Sequence, residues 1–151
     1  MSHLKWLDLP PLWLVLFACL AWIQSTQLPI GSLGGAWADF LGGLLVGAGI
    51  LLAVLAVMEM RKAQTTPIPH MAPSALVTTG IFSRSRNPIY LGDVLILLGL
   101  ILWWDAVPSL ILVPLFVWVI TDRFIGPEEG RLHAAFGTHY ETYKRQVRRW
   151  I

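Results

Sequence analysis

The stretch FLGGLLVGAGILLAVLAVM, residues 40–58, decides the fold. It carries no charged side chain and comes close to the roughly 20 apolar residues with which a helix crosses the hydrocarbon core of a bilayer. Its glycines, Gly42, Gly43, Gly47 and Gly49, follow no strand, so they do not read as a phosphate-binding loop. Gly43 and Gly47 instead stand at the small-xxx-small spacing of closely packed membrane helices.

Working outward, three more apolar stretches are bounded by Pro, Gly or charged residues: Leu9 to Ile23, Ile89 to Trp104, and Val107 to Ile120. The last carries Pro108 and Pro114 and is shorter than a full span, which leaves a tilted or re-entrant pair as the alternative to four membrane helices. The first ends in Gln24-Ser25-Thr26-Gln27 without a small-x-small cleavage pattern, so a retained helix is expected rather than a signal peptide. Of the 151 residues, 56% are hydrophobic and 13% charged, a balance foreign to a soluble domain. The expected class is all-α: an integral membrane helical bundle of about four transmembrane helices with a C-terminal amphipathic cytoplasmic helix. It forms a single domain, 1–151, in which residues 1–60 supply two scaffold helices and 61–151 a loop, a helical hairpin and the tail.

The placement of charge sets the topology. The eleven Lys and Arg are Lys5, then Arg61, Lys62, Arg84 and Arg86 in the middle loop, then six after the fourth stretch. Gln24 to Asp39 and Trp104 to Pro108 have none. The positive-inside rule then puts both termini and the middle loop in the cytoplasm. Trp6, Trp103, Trp104 and Trp150 fit interfacial belts. Lone Cys19, within an apolar helix, reads as a small buried hydrophobe. Pro67, Pro69 and Pro73 predict an extended loop.

Residues Gly126 to Ile151 predict a helix lying on the membrane. Pro127 suits a first helical position, and Glu128 and Glu129 then sit in the first turn, where the helix dipole favours carboxylates. Leu132, Phe136, Tyr140, Tyr143, Val147 and Trp150 form an apolar stripe, with Lys144, Arg145, Arg148 and Arg149 largely off it. Gly137 is the point where this helix can break.

Familiar catalytic signatures are missing: there is no HExxH, CxxC, G-x-S-x-G or P-loop. His3, His70, His133 and His139 give no metal-like i, i+4 pair, so no metal is expected, and His70 reads as surface polar. Two polar clusters remain. One is Ser74-Ala75-Leu76-Val77-Thr78-Thr79-Gly80-Ile81-Phe82 with Arg84-Ser85-Arg86-Asn87-Pro88-Ile89-Tyr90-Leu91-Gly92-Asp93. The other is Glu128-Glu129 with Phe136-Gly137-Thr138-His139-Tyr140-Glu141-Thr142-Tyr143-Lys144.

In their order and spacing these clusters resemble the isoprenylcysteine carboxyl methyltransferase and phospholipid methyltransferase superfamily. Its members carry Leu-Val-x-x-Gly-x-[Phe/Tyr], Arg-His-Pro-x-Tyr-x-Gly, then Glu-Glu before Phe-Gly-x-x-Tyr-x-x-Tyr-[Lys/Arg]. The resemblance runs from about Pro67 to the end. It implies transfer of a methyl group from S-adenosylmethionine, leaving S-adenosylhomocysteine, to a lipophilic acceptor such as an isoprenylcysteine-like carboxylate or a related lipid. It assigns cofactor binding to Ser74, Ala75, Leu76, Val77, Phe82, Asn87, Pro88, Tyr90, Glu128 and Glu129. The bilayer and a lipidic acceptor are the expected partners, not nucleic acid.

Several of these residues also admit plainer readings. Tyr90 can place its ring against a cationic sulfonium or serve as an interfacial tyrosine. Asp93, an ionisable residue within an apolar helix, is a candidate acceptor contact. Arg123 is another, or it pairs with neighbouring Asp122. Arg86 can hold a carboxylate. Asn87, Tyr90 and Arg123 are the candidates for a direct part in catalysis. Asn87 stands where the family usually has His, which removes protonation at that position but keeps hydrogen bonding. Two other functions fit the same scaffold: a nicotinamide-dependent sterol-type reductase and a non-enzymatic membrane protein.

Overall fold

The computed structural model describes residues 8–68 and 71–151, and within these every regular element is helical. His3, Lys5, Trp6, Pro69 and His70 lie outside the described residues, and with them the expectations placed there. Helix α1 is Pro10–Gln27, α2 Ala36–Lys62, α3 Pro88–Trp103 and α4 Leu112–Ile120. A π-helical turn, Thr121–Ile125, carries α4 without a break into α5, Gly126–Phe136, and α6 is Thr138–Gln146. Short 3₁₀ turns, Gly80–Ser83 and Val107–Ile111, precede α3 and α4. Prolines open α1 and α3, where a first-turn amide would have no intrahelical partner anyway.

Two helical runs, Ala36–Lys62 and Val107–Phe136, are long and apolar enough to cross a membrane. The 18 residues of α1 and 16 of α3 reach only roughly 27 and 24 Å at 1.5 Å per residue, just short of a core about 30 Å thick. Large apolar side chains point outward, Phe40 at 73% exposure and Trp118 at 66% among them. Water does not tolerate so much exposed apolar surface on a monomer, whereas lipid solvates it.

Glycine sets how α2 meets α3. The buried positions of α2 are Ala38, Gly42, Gly49 and Ala56, and the facing glycines of α3 are Gly92 and Gly99. A Cβ on Gly42 would lie 2.7 Å from the Gly99 carbonyl oxygen, and one on Gly49 would strike that of Gly92. The converse holds: a Cβ on Gly92 or Gly99 would lie 2.6 Å from the opposing carbonyl. The expected close packing is therefore present, but its period is seven residues, not four. Gly43 meets only the Trp103 ring and Gly47 meets nothing within 4 Å, because both face away from the α3 backbone.

The other face of α3 carries Tyr90, Leu97 and Ile101 into a core with Phe17 and Ala21 of α1 and Phe116, Ile120, Phe124 and Ile125 of the long helical run. The Phe17 and Phe116 rings meet edge to face, 5.3 Å between centroids. At the end away from the middle loop, the Asp105 carboxylate accepts hydrogen bonds from the Ser32 hydroxyl and the Leu33 amide, which hold its pKa below the usual value. Ser109 bonds to Gln24 there.

The tail departs from expectation. Gly126 does not begin a new helix: its amide bonds to the Thr121 carbonyl five residues back, and the preceding residue is itself helical. The widened turn fits Pro127, which has no amide to donate and would crowd the carbonyl four residues earlier. Glu128 and Glu129 consequently sit in mid-run, with no free helix N-terminus to attract them. Asp122 and Arg123 likewise lie inside the run rather than at its end. Gly137, at φ +49°, does break the tail, and after α6 the chain from Val147 leaves helical geometry.

Candidate functional site

One end of the bundle gathers the polar clusters. The middle loop is pinned to the end of α2 where the Glu59 carboxylate accepts from Lys62 Nζ at 2.7 Å and from the Thr79 hydroxyl at 2.9 Å. Gly80, at φ +58°, then turns the chain directly against the Glu59 side chain. Tyr143 of α6 donates to the Phe82 carbonyl at 2.7 Å. The backbone from Val77 to Phe82 is thereby fixed between α2 and the tail, with Val77, Phe82 and Ala56 forming a small core beneath it.

Between the start of α1, the end of α2, the start of α3 and α5 lies a cavity of about 470 Å³. Cavities that hold drug-sized ligands run to about 300–1,000 Å³ and are mostly apolar with a few convergent polar groups. Here the walls are mainly apolar: Leu9, Pro10 and Pro11, Val57 and Met60, Pro67 and Ile68, Phe82, Pro88 and Ile89. The polar groups are Arg86, Asn87, Tyr90, Asp93 and Glu128. A smaller recess shares Met60, Pro67, Ile68, Phe82, Arg86 and Glu128 with it and continues along Ala75, Leu76 and Val77 to Arg131 and Tyr143.

At the junction the Tyr90 hydroxyl donates to Glu128 Oε2 at 3.0 Å, tying α3 to α5. Behind it Glu129 is fully engaged. Arg149 donates to both its oxygens, at 3.0 and 2.7 Å, and Arg86 Nη1 lies 3.4 Å away. Its hydrogen bonds to the Glu129 carboxylate raise the pKa of Arg149. Arg86 Nη1 also donates to the Tyr140 hydroxyl at 3.3 Å. Burial pushes up the phenols of both Tyr140 and Tyr143, keeping them protonated as donors and acceptors. The last residues close the back of the site: the Arg86 amide bonds to the Arg148 carbonyl, and Asn87 Nδ2 to that of Arg149, each at 3.0 Å.

Of the residues singled out in the sequence, Ala75, Leu76, Val77, Phe82, Asn87, Pro88, Tyr90, Asp93 and Glu128 line the cavity or the recess. Three do not. Ser74 bonds to the Gln64 carbonyl; Glu129 faces the two arginines; Arg123 lies beside Trp13, its guanidinium 5.1 Å from the ring, and pairs with Asp8 at 2.8 Å rather than with Asp122. The Asn87 side-chain amide is spent on the tail. Sequence reading missed Arg131, the Leu9–Pro11 wall and the clamp of Arg149 on Glu129. Arg149 gave no local signal, since in a basic tail it looks like any lipid-facing charge.

The clamp makes a graded prediction. Arg149→Ala removes charge-assisted bonds from a half-exposed side chain and costs about 1–2 kcal/mol once screening is allowed for. Glu129→Ala leaves both Arg149 and the buried Arg86 without their carboxylate, so it lowers the unfolding midpoint of the detergent-solubilised protein further. Equal midpoints for the two variants would show that Arg86 does not depend on Glu129.

Residues 37–139, more than half of the chain, match the family described as Phospholipid methyltransferase. An uncharacterized protein of Haemophilus influenzae is 40% identical over 63 residues, which are 42% of this chain and 100% of that protein. Protein-S-isoprenylcysteine O-methyltransferase of Schizosaccharomyces pombe is 35% identical over 72 residues, 48% of this chain but only 30% of that enzyme. No solved structure matches.

Proposed function

The chain belongs to the phospholipid methyltransferase family, and from that premise we propose that it is an integral membrane enzyme transferring a methyl group from S-adenosylmethionine to a lipophilic acceptor. The observation that carries the reading is the pair of adjoining spaces, cavity and recess, apolar along most of their walls and sharing both Arg86 and Glu128 in their lining. When bound, S-adenosylmethionine supplies a methyl group activated by its attachment to a positively charged sulfur.

The residues present fit such a group. Its amino-acid end needs a cation and an anion side by side, and Arg86 and Glu128 both border the junction, with Arg86 Nε unpartnered among the described residues. Its adenine needs an apolar slot with backbone edges, and Leu76 and Val77 line the recess with Phe82 beside them as an aromatic face. The Tyr90 ring offers an electron-rich face to positive charge, worth roughly 0.5–2 kcal/mol, while its hydroxyl orients Glu128. Asn87, in the cavity wall, spends its side-chain amide on the Arg149 carbonyl, and Glu129 acts behind the wall; together they hold tail and α5 in register. No side chain has to form a covalent bond: the protein contributes proximity, alignment and exclusion of water.

The proposed topology has four spans, with α1 and α3 tilted little because they have no length to spare. Arg61, Lys62, Arg84 and the tail arginines then face the cytoplasm, as does the site, and the acceptor arrives from the bilayer. Calorimetric titration of the detergent-solubilised protein should show one S-adenosylhomocysteine bound per chain and no uptake of reduced nicotinamide dinucleotide. A folded sample that takes up the dinucleotide and not S-adenosylhomocysteine would overturn the methyltransferase reading.

A further inference from the structure

Asp93 stands in the cavity wall one turn beyond Tyr90 on the same face of α3, only 8% exposed. Its carboxyl makes no hydrogen bond or ion pair with any described residue, and Oδ2 is enclosed without a partner. The other polar side chains of the cavity each have a partner: Tyr90 has Glu128, Asn87 has the tail, and Arg86 has Glu129 and Tyr140 through Nη1, its Nε being left over. A buried carboxyl without a hydrogen-bond partner, in a cavity whose walls include Pro10, Pro11, Val57 and Ile89, is costly to keep, and such a group is satisfied by a ligand that brings the donor.

We propose that Asp93 is the specificity-determining residue of the acceptor site, selecting an apolar molecule whose head carries an N–H or O–H donor over one whose head is a carboxylate. The inference rests on the methyl-transfer reading of the same cavity. The charge inventory gives it direction. A carboxylate head would meet Asp93 and Glu128, while Arg86, the basic side chain among the described cavity residues, is held by Glu129 at Nη1 and, on the proposed function, is committed to the cofactor's carboxylate. A protic head meets an acceptor that lacks a partner, while its chain lies along the prolines of α1 and Val57. Amine and alcohol heads share this chemistry and differ in charge, so replacing the carboxylate by an amide separates them.

The test uses the full chain in detergent, with decylamine, decanol and decanoate as probes and the thermal unfolding midpoint as readout, and S-adenosylhomocysteine titration in parallel. Decylamine, decanol or both should raise the wild-type midpoint by several degrees, as a ligand well above its Kd does, and decanoate should not. Asp93→Leu should abolish the rise. Asp93→Asn, nearly isosteric, should keep a decanol response and lose a decylamine one, with S-adenosylhomocysteine affinity within about twofold of wild type. The proposal is overturned if decanoate stabilises the wild type as well as the protic probes, or if the rise survives in Asp93→Leu. It is overturned equally if Asp93→Asn loses S-adenosylhomocysteine affinity about tenfold, which would place Asp93 at the cofactor. A wild type that discriminates the three heads but takes up no S-adenosylhomocysteine would instead remove the methyl-transfer reading and leave Asp93 as a selecting residue.

Discussion

Gly49→Val should abolish recovery of a monodisperse protein from detergent, whereas Gly47→Val, two residues earlier in the same helix, should leave the elution profile and unfolding midpoint unchanged. The Gly49 Cβ would fall on the Gly92 carbonyl and within 2.7 Å of the Ile96 side chain, and backbone cannot swing aside as a side chain can. Overpacking typically costs about 1–3 kcal/mol and more when backbone must move; here it would part α2 from α3 along their contact. Gly47 has nothing within 4 Å of its Cβ position, so valine there meets lipid. Equal behaviour of the two variants would mean that the α2–α3 seam is not where the glycines place it.

The second large effect concerns the Tyr90–Glu128 bond. Glu128→Ala should lower S-adenosylhomocysteine affinity at least tenfold and reduce methyl transfer to background, because it removes the anion at the junction and strands the buried Tyr90 hydroxyl. An unsatisfied buried group costs about 1–3 kcal/mol, or roughly 5- to 150-fold in binding when that cost falls on the bound state, and loss of the anion adds to it. Tyr90→Phe deletes the hydroxyl and keeps the ring, so its loss should be smaller. In a double-mutant cycle, Tyr90→Phe combined with Glu128→Ala should be much less severe than the sum of the singles. Strict additivity would show that the two side chains act independently at the site.

Neighbouring Glu128 and Glu129 show how far residue order can be read. Local pattern made both of them first-turn carboxylates of a surface helix, and the resemblance made both of them cofactor ligands. In the fold there is no free helix end there. One residue's rotation around α5 turns Glu128 toward the cavity and Glu129 toward Arg86 and Arg149. Arg123 shows the same limit: its partner, Asp8, lies 115 positions away, and nothing near it in sequence announces that contact.

What the sequence determined by itself is what depends on composition and short-range order. Apolar runs long enough for lipid, basic residues confined to alternate connections, and helix punctuation at Pro88 and Gly137 follow from solvation and backbone sterics, which act locally. Glycines in residues 40–58 signalled a close helix contact, but small-xxx-small spacing could not say which of them face the partner. That depends on the crossing of α2 with α3, a property of two helices together. Only tertiary structure decided that Gly42 and Gly49, not Gly43 and Gly47, carry the seam. It alone also placed Asp93 in a cavity wall without a hydrogen-bond partner among the described residues, because burial is fixed by everything packed around a residue and not by its neighbours in the chain.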